Sequence, residues 1–272
     1  MIATGEKQMP AFERPTVTLH YEDTGGDLPA VVFLHGWCDS SGGWGGLTAA
    51  LRGSFRCIAP DMRGHGQSGL PRDHCYSAEA LSNDVAAICE SLDVVRPVVI
   101  GHSFGGYLAA EISRRFPRFA RGVVIEDQVL DLRGFGSQMR TLEAVIRSPE
   151  THMAFRKQLF DSMISSAMPP ADRELVHRAM EATPVEVGQA LWAPLFEFTL
   201  LELGERSDAL MAALGNQPSL SLDSQPQLDY YAKLEGFAPG TRTEVIESGH
   251  WVHLERRADV LAALDRFFAS LG

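Results

Sequence analysis

Ser103 is the residue whose surroundings most clearly indicate chemistry. Residues 98–100 are apolar, residues 101–106 read Gly-His-Ser-Phe-Gly-Gly, and the sequence after them is typical of a helix. This pattern predicts a nucleophile elbow, a sharp strand-to-helix turn in which the glycines leave room for strained backbone angles at the serine. The hydroxyl group would face a pocket at a helix N-terminus, where backbone N–H groups stabilise negative charge.

His250 is the predicted general base. Residues 249–255 read Gly-His-Trp-Val-His-Leu-Glu and follow the last predicted strand. An imidazole with a pKa of about 6.5 is suited to removing a proton at neutral pH, and a histidine in a loop downstream of the elbow is correctly placed for that task. His253 is interpreted as a packing or capping residue at the start of the final helix.

A third group of residues follows the predicted strand Ala30–Leu34, which is continuously apolar, as expected for a strand buried on both faces. Residues 35–38 read His-Gly-Trp-Cys. Ligands of open α/β sheets bind at the carboxyl ends of the strands, so this turn is expected beside Ser103. Trp37 is a candidate both for a backbone N–H donor and for a pocket wall.

These residues must be positioned by alternating strands and helices, and the alternation predicts a mostly parallel, doubly wound α/β sheet. Residues 129–214 have a different character: they are helical, poor in strands and rich in aromatic residues and Met. We therefore expect a core of residues 1–128 and 215–272 and a helical cap of residues 129–214. Within the cap, Trp192 is expected to face the substrate, whereas residues 1–15 are expected to form a loose arm.

Composition excludes several classes of partner. The formal net charge of the 272 residues is −11, which argues against nucleic acid and anionic membrane surfaces. The chain has no apolar run of the ~20 residues needed to cross a membrane, and its start lacks the apolar segment of a signal peptide. We therefore expect a cytoplasmic protein. The four cysteines have no Cys-x-x-Cys spacing, so neither a metal site nor a disulfide is expected.

Over almost its whole length, the chain resembles the α/β-hydrolase superfamily. The resemblance rests on the His-Gly turn at 35–36, the elbow at 101–106, the cap and the Gly-His pair at 249–250. In most such hydrolases, the acid that orients the histidine follows the strand before the last one.

At that place, residues 220–227 read Leu-Ser-Leu-Asp-Ser-Gln-Pro-Gln, with Gln227 where the carboxylate is expected. Asp223 comes early and Asp229 comes late. Some family members carry the acid at the end of the mid-chain strand, here Glu126 or Asp127. We choose Asp127, because a residue just past a strand end can turn into the pocket, and Glu126 and Asp223 remain alternatives.

The location of the acid narrows the resemblance to the cofactor-independent 3-hydroxy-4-oxoquinoline (quinaldine) 2,4-dioxygenases. The matching features are the turn at 35–38, the elbow at 101–106, Asp127, the Ser-Gln-Pro segment at 224–226 with Tyr230 or Tyr231, and His250.

This resemblance implies a specific reaction. His250, held by Asp127, would remove the 3-hydroxyl proton of a 3-hydroxy-4(1H)-quinolone, and the anion would react with O2. Ring opening would release carbon monoxide and leave an N-acylanthranilate, with no cofactor and with O2 as co-substrate. Ser103 would hydrogen-bond the substrate, and the N–H groups of Trp37 and Phe104 would stabilise the oxyanion.

The same resemblance implies a small aromatic or heterocyclic substrate, and the apolar cap suggests a 2-alkyl tail. His35, His102 and Trp192 complete the residues expected near it. The sequence leaves the oligomeric state and the alkyl-chain preference open.

Two other functions remain possible. In a serine hydrolase, a carboxylesterase or a C–C bond hydrolase, Ser103 would attack a carbonyl group, His250 would carry the proton, and Asp223 or Asp127 would orient the imidazole. In a hormone-receptor-like binding protein, the pocket would remain without turnover. A complete Ser/His/acid set argues against a receptor, which needs no base.

Overall fold

Eight strands form one sheet in the computed structural model, which describes residues 11–272. The strands are β1 (Ala11–Glu13), β2 (Thr18–Asp23), β3 (Ala30–Leu34), β4 (Arg56–Pro60), β5 (Val98–His102), β6 (Gly122–Glu126), β7 (Ser219–Asp223) and β8 (Arg242–Val245). Their order across the sheet is β1-β2-β4-β3-β5-β6-β7-β8. The pairs β1–β2 and β2–β4 are antiparallel and the other pairs are parallel. This is the α/β-hydrolase fold that the sequence predicts.

Twelve α-helices accompany the strands of the described residues. They are α1 (Gly45–Leu51), α2 (Ala78–Ser91), α3 (Phe104–Arg115), α4 (Leu132–Arg140), α5 (Glu143–Arg147), α6 (Pro149–Met163), α7 (Pro170–Ala182), α8 (Val185–Glu197), α9 (Leu200–Ala213), α10 (Leu228–Phe237), α11 (Val252–Glu255) and α12 (Arg257–Ala269).

Burial explains why the central strands lie where the sequence pattern places them. Every residue of β5 and β6 is buried, and four of the five residues of β3 are buried, because helices cover both faces of the sheet. Since parallel strands end at one edge, β3, β5 and β6 bring the residues that follow them together. That edge carries the candidate site.

The loose arm predicted for residues 1–15 is wrong in part. Ala11–Glu13 form β1 and pair with β2 in the register Ala11 to His20. Such a short strand lacks the alternation that marks a strand in sequence, and its pairing with β2 organises it. Residues 1–10 of the predicted arm lie outside the described part of the chain.

The predicted cap segment contains helices α4 to α9, which lie in the sequence between β6 and β7. Because α9 packs against α3, we use the word cap for α4 to α8. Hydrogen bonds attach the cap to the site edge, and two of them involve Trp37 and His250 directly. The indole Nε1 of Trp37 donates to the Gly188 carbonyl in α8 (2.9 Å), and the His250 N–H donates to the Met163 carbonyl at the end of α6 (3.1 Å). Among the helices of residues 11–272, none combines the length and apolar character that a membrane crossing requires.

Candidate active site

Ser103 lies at the sharp turn between β5 and α3, with φ 51° and ψ −123°. Positive φ is strained for a serine and costs roughly 1–3 kcal/mol. The neighbouring glycines make the turn possible. A Cβ at Gly101 would lie 2.1 Å from the Gly105 carbonyl oxygen, and a Cβ at Gly105 would lie 2.1 Å from the Leu34 carbonyl oxygen. The elbow therefore packs directly against β3 and leaves the hydroxyl group of Ser103 half-buried at the sheet edge.

Two backbone N–H groups beside Ser103 are candidate oxyanion donors. Phe104 is the first residue of α3, so its N–H has no carbonyl partner within the helix. The turn that contains Trp37 adjoins the elbow, because a Cβ at Gly36 would lie 3.4 Å from the Ser103 Cβ. The turn of Trp37 and the first residue of α3 are thus both next to the serine.

His250 and Asp127 form a close pair at the same edge. His250 Nδ1 donates to an Asp127 carboxylate oxygen over 2.6 Å. Asp127 follows β6 directly and has φ 48°, which turns its side chain towards the loop of His250. The backbone N–H of Ser224 donates to its other oxygen (2.7 Å). Asp127 is thus fixed by β7 on one side and holds the imidazole on the other.

Asp127 is ionised in this arrangement. Burial by itself raises the pKa of the carboxyl group. The hydrogen bond and charge of His250, together with the N–H of Ser224, lower the pKa by more than burial raises it. The net effect is a pKa below the usual value. A carboxylate that stays ionised can stabilise an imidazolium ion in the course of a reaction.

Glu126, an alternative acid, faces the other side of the sheet and binds a different histidine. One of its carboxylate oxygens accepts from His253 Nδ1 (2.6 Å) and from the His253 backbone N–H (2.9 Å). The His253 ring stacks on Trp44 with a centroid separation of 4.2 Å. Because successive residues at the end of a strand point to opposite faces, only one residue of the Glu126-Asp127 tandem reaches His250.

Asp223, the other alternative acid, has its own partners. Its carboxyl group accepts from Ser221 Oγ (2.9 Å) and Tyr231 Oη (3.0 Å) and is almost completely buried. Burial, together with the nearby charge of Asp127, raises its pKa to about 6 against the opposing effect of these two hydrogen bonds. Asp229 lies in the first turn of α10.

His35 supports the turn and does not face a substrate, contrary to the expectation from sequence. Its ring is buried, its Nδ1 donates to the Gly36 carbonyl (2.8 Å) and its Nε2 accepts from the Met62 N–H (2.9 Å). Both ring nitrogens are therefore occupied by backbone groups that fix the shape of the turn.

His102 has a similar supporting position, so its predicted role beside the substrate is also corrected. Its Nε2 donates to the His250 carbonyl oxygen (3.0 Å), and its Nδ1 would lie 3.1 Å from a Cβ at Gly36. Burial, and then the charges of His250 and His253, hold its pKa well below the usual value, so the ring is neutral. His102 connects the elbow, the Trp37 turn and the His250 loop.

Trp192 packs on Trp37 with a ring-centroid distance of 4.7 Å, and both side chains are buried. Phe155 and Phe135 contact the Trp192 ring from the cap, each at 5.6 Å. The two tryptophans therefore form part of the apolar contact between cap and core, together with the contacts of Phe160 with Trp37 and Trp251.

Sequence reasoning missed the residues that connect the cap to the catalytic loop. The carboxylate of Glu255 accepts from the Gly249 N–H (2.8 Å) and from the Ser165 hydroxyl group (2.5 Å). A Cβ at Gly249 would lie 2.4 Å from the same carboxylate, so the glycine is needed for this contact. The Gly-His pair, followed by a glutamate six residues after Gly249, is a local signal that could have indicated the contact within the loop. No sequence pattern marks Ser165 as the partner in the cap.

A groove on the surface of the protein lies away from the candidate site. This groove of about 370 Å³ lies between α3 and α9 and is lined by residues such as Tyr107 and Arg206. It contains neither Ser103 nor His250. Its mixed charges are those of an ordinary solvated helix surface, so we assign it no role.

Comparison with known proteins agrees with this geometry. Residues 31–264 match the alpha/beta hydrolase family. A segment of 100 residues is 38% identical to uncharacterized protein Rv2715 of Mycobacterium tuberculosis, covering 37% of this chain and 29% of that protein. The match to the first relatives thus spans less than a third of their length.

A longer match is to the sn-1-specific diacylglycerol lipase ABHD11 of Mus musculus, which is 27% identical and covers 92% of this chain and 85% of the relative. The crystal structure of a hydrolase from Pseudomonas aeruginosa PA01 has a TM-score of 0.81 at 18% identity, with 97% of this chain and 99% of that chain covered. At this identity the structural match establishes the fold alone. The family model matches most of the chain, and the sheet order and the elbow agree with that match. The chain therefore belongs to the alpha/beta hydrolase family.

Proposed function

We propose that the protein is a serine hydrolase that cleaves carboxylic esters, with Ser103 as nucleophile, His250 as base and Asp127 as the acid that orients it. One observation carries the proposal: the hydrogen bond of 2.6 Å from His250 Nδ1 to Asp127, at the sheet edge that also presents the strained Ser103. The combination of a partly exposed carboxylate–histidine pair and a strained serine is that of a nucleophile with its base, which a binding protein does not need.

The reaction follows from the positions of these groups. With Nδ1 donating to Asp127, the Nε2 of His250 is free to accept the Ser103 proton as the hydroxyl oxygen attacks the ester carbonyl carbon. The N–H groups of Phe104 and Trp37 stabilise the tetrahedral oxyanion. His250 then protonates the leaving alcohol, which leaves an acyl group on Ser103. Water, deprotonated by His250, attacks the acyl group and releases the carboxylic acid.

The names of the relatives support hydrolysis over oxygen chemistry. The mouse relative is named for cleaving a lipid ester, and the structural neighbour is described as a hydrolase. Trp37 of the core, together with Trp192 and Phe155 of the cap, forms an apolar region. This region is compatible with an acyl chain or an aromatic leaving group.

A cofactor-independent ring-cleaving dioxygenase is the second candidate. The observation in its favour is the location of the acid after β6, where the resemblance to the 3-hydroxy-4-oxoquinoline 2,4-dioxygenases expects it. In that reaction His250 deprotonates the 3-hydroxyl group of the quinolone. The anion and O2 then give an N-acylanthranilate and carbon monoxide, and Ser103 forms no covalent bond.

The Ser103→Ala variant separates the two candidates. We expect it to lose at least about 10⁴-fold in kcat on a p-nitrophenyl ester, because the nucleophile is absent. We also expect the wild-type protein to leave a 2-alkyl-3-hydroxy-4-quinolone unchanged under both air and nitrogen. Consumption of the quinolone only under air, with Ser103→Ala retaining most of the rate, would replace the hydrolase by the dioxygenase.

A further inference from the structure

Arg156 is a buried cation in the middle of the cap. It lies on α6 and has no exposed surface. Its Nη1 donates to the Met180 and Thr183 carbonyls, at 2.8 and 2.7 Å, where α7 ends. The last carbonyl groups of a helix carry partial negative charge, so they compensate one edge of the guanidinium.

The other edge of the guanidinium is uncompensated. Arg156 Nε and Nη2 are both shielded from solvent, and neither has a hydrogen-bond partner in the described chain. These two nitrogens form the fork that binds the two oxygens of a carboxylate in parallel. Leaving a buried charge half-paired is costly, and burial lowers the pKa of this guanidinium.

The free edge of the guanidinium faces the backbone of Gly188, a position with no side chain. A Cβ at Gly188 would lie 3.0 Å from Arg156 Nη2, 2.9 Å from His152 Nε2 and 3.2 Å from Cys38 Sγ. His152 Nδ1 donates to the Ile146 carbonyl (2.8 Å), and its buried Nε2 has no partner. Two unpartnered polar side chains thus converge on the place where any other residue at 188 would put a side chain.

The free edge of Arg156 borders the catalytic turn. Cys38 follows Trp37 directly, and the Arg156 guanidinium lies 5.7 Å from the centroid of the Trp37 ring. The Trp37 indole donates to the carbonyl of Gly188 itself. A ligand on the free edge of Arg156 would therefore contact the same turn that supplies an oxyanion donor to the ester carbonyl.

We propose that the free Nε/Nη2 edge of Arg156 binds a carboxylate group of the substrate, so that the preferred esters carry a free carboxylate on the acyl chain. This assignment deepens the proposed hydrolase function and rests on it. One negative charge balances the one uncompensated positive charge. Because Nε and Nη2 are shielded from solvent, entry requires α8 to move away from Trp37 around Gly188.

Binding tests the site without turnover. In the Ser103→Ala background, we would titrate monomethyl glutarate and its uncharged counterpart dimethyl glutarate, following tryptophan fluorescence and thermal stability. We expect the half-ester to bind and Arg156→Met to weaken its affinity on the order of 100-fold, with little change for the diester. Since Arg156→Met removes contacts to α7, Gly188→Ala is the second variant. Its added methyl group would press on Arg156 Nη2 and His152 Nε2 while leaving the charge in place, so it is expected to weaken half-ester binding and to leave diester binding unchanged.

Kinetics then separate this proposal from the hydrolase function. We expect kcat/KM of the wild-type protein to be higher for mono-p-nitrophenyl glutarate than for p-nitrophenyl pentanoate, and Arg156→Met to remove that preference. An equal loss on both esters would make Arg156 a structural residue and overturn the carboxylate site. Arg156-dependent binding of the half-ester without hydrolysis of either ester would instead refute the hydrolase and preserve the site. Equal affinity for chloride or acetate would overturn the substrate assignment in favour of a resident small anion.

Discussion

Two carboxylate–histidine pairs begin at adjacent residues, the last residue of β6 and the one after it, and have opposite environments. Asp127 binds His250, and Glu126 binds His253, each with an Nδ1-to-oxygen distance of 2.6 Å. The side chains of Asp127 and His250 are 14% and 18% exposed, whereas those of Glu126 and His253 are each 2% exposed.

The difference shows that a carboxylate–imidazole hydrogen bond does not by itself indicate catalysis. The His253 ring is enclosed by Trp44, and its pair holds the start of α11 against the end of β6. His250 has one ring nitrogen that is not bound to its carboxylate, and its side chain is partly exposed, so a proton can be exchanged with a substrate there. The two pairs have the same hydrogen-bond distance, and they differ in how far solvent and substrate can reach the imidazole.

The two histidine variants should give the largest contrast. We expect His250→Ala to reduce kcat on an activated ester by about 10⁴–10⁶-fold with little change in the free energy of unfolding. His253→Ala should instead lower the free energy of unfolding by about 3–5 kcal/mol, because Glu126 is left buried without its partner. Its kcat per folded molecule should stay within about tenfold of wild type. Ester kinetics and urea denaturation measure both quantities, and a reversed pattern would exchange the roles of the pairs.

The two acid variants should repeat this contrast at smaller size. Asp127→Asn should reduce kcat by about 10³–10⁴-fold, because the amide no longer holds the reactive tautomer of His250. Glu126→Gln should mainly lower stability, by about 1–3 kcal/mol, since the buried imidazole keeps a weaker acceptor. The readouts are kcat and the urea midpoint for the same preparations. If Asp223→Asn caused the larger kinetic loss, the assignment of the acid to Asp127 would be wrong.

Asp223 is a third carboxyl group to compare with these two, because it is buried and binds Ser221 and Tyr231 instead of a histidine. Its pKa in the folded protein is raised from 3.8 to about 6, so the folded state holds the proton more tightly than the unfolded state. Ionisation of Asp223 therefore lowers the free energy of unfolding of the wild-type protein as the pH rises. The loss is absent below pH ~4, reaches about 3 kcal/mol and is complete above about pH 6. Asp223→Asn should gain stability over wild type as the pH rises through this window. Denaturation at pH 4 and pH 7.5 measures the gain, and a difference independent of pH would contradict the raised pKa.

Local patterns predicted much of this molecule because they act through nearest neighbours. The continuous apolar run at β3 and the Gly-x-Ser-x-Gly elbow each determine a structure within a few residues. The tandem Glu126-Asp127 was resolvable in principle by the period of two along a strand, and Asp127 is the residue that meets His250.

Contacts between distant parts of the chain were not predictable in this way. His102 and the carbonyl of His250 are 148 residues apart, and Ser165 and Glu255 are 90 residues apart. The first pair depends on the sheet order and the second on how the cap docks, so no local spacing encodes either. The same reason explains why His35 and His102, both adjacent to the site in sequence, turned out to support its loops.

The proposed hydrolysis requires a covalent acyl group on Ser103, and the mass of the protein during turnover measures whether that group forms. Wild-type protein and Ser103→Ala would be mixed with a p-nitrophenyl ester, quenched in acid within the first turnovers and measured as intact proteins. We expect one added acyl mass on the wild-type protein, located at Ser103 by peptide mapping, and none on the variant. Full ester turnover with no acyl mass at Ser103 would contradict the proposed role of Ser103.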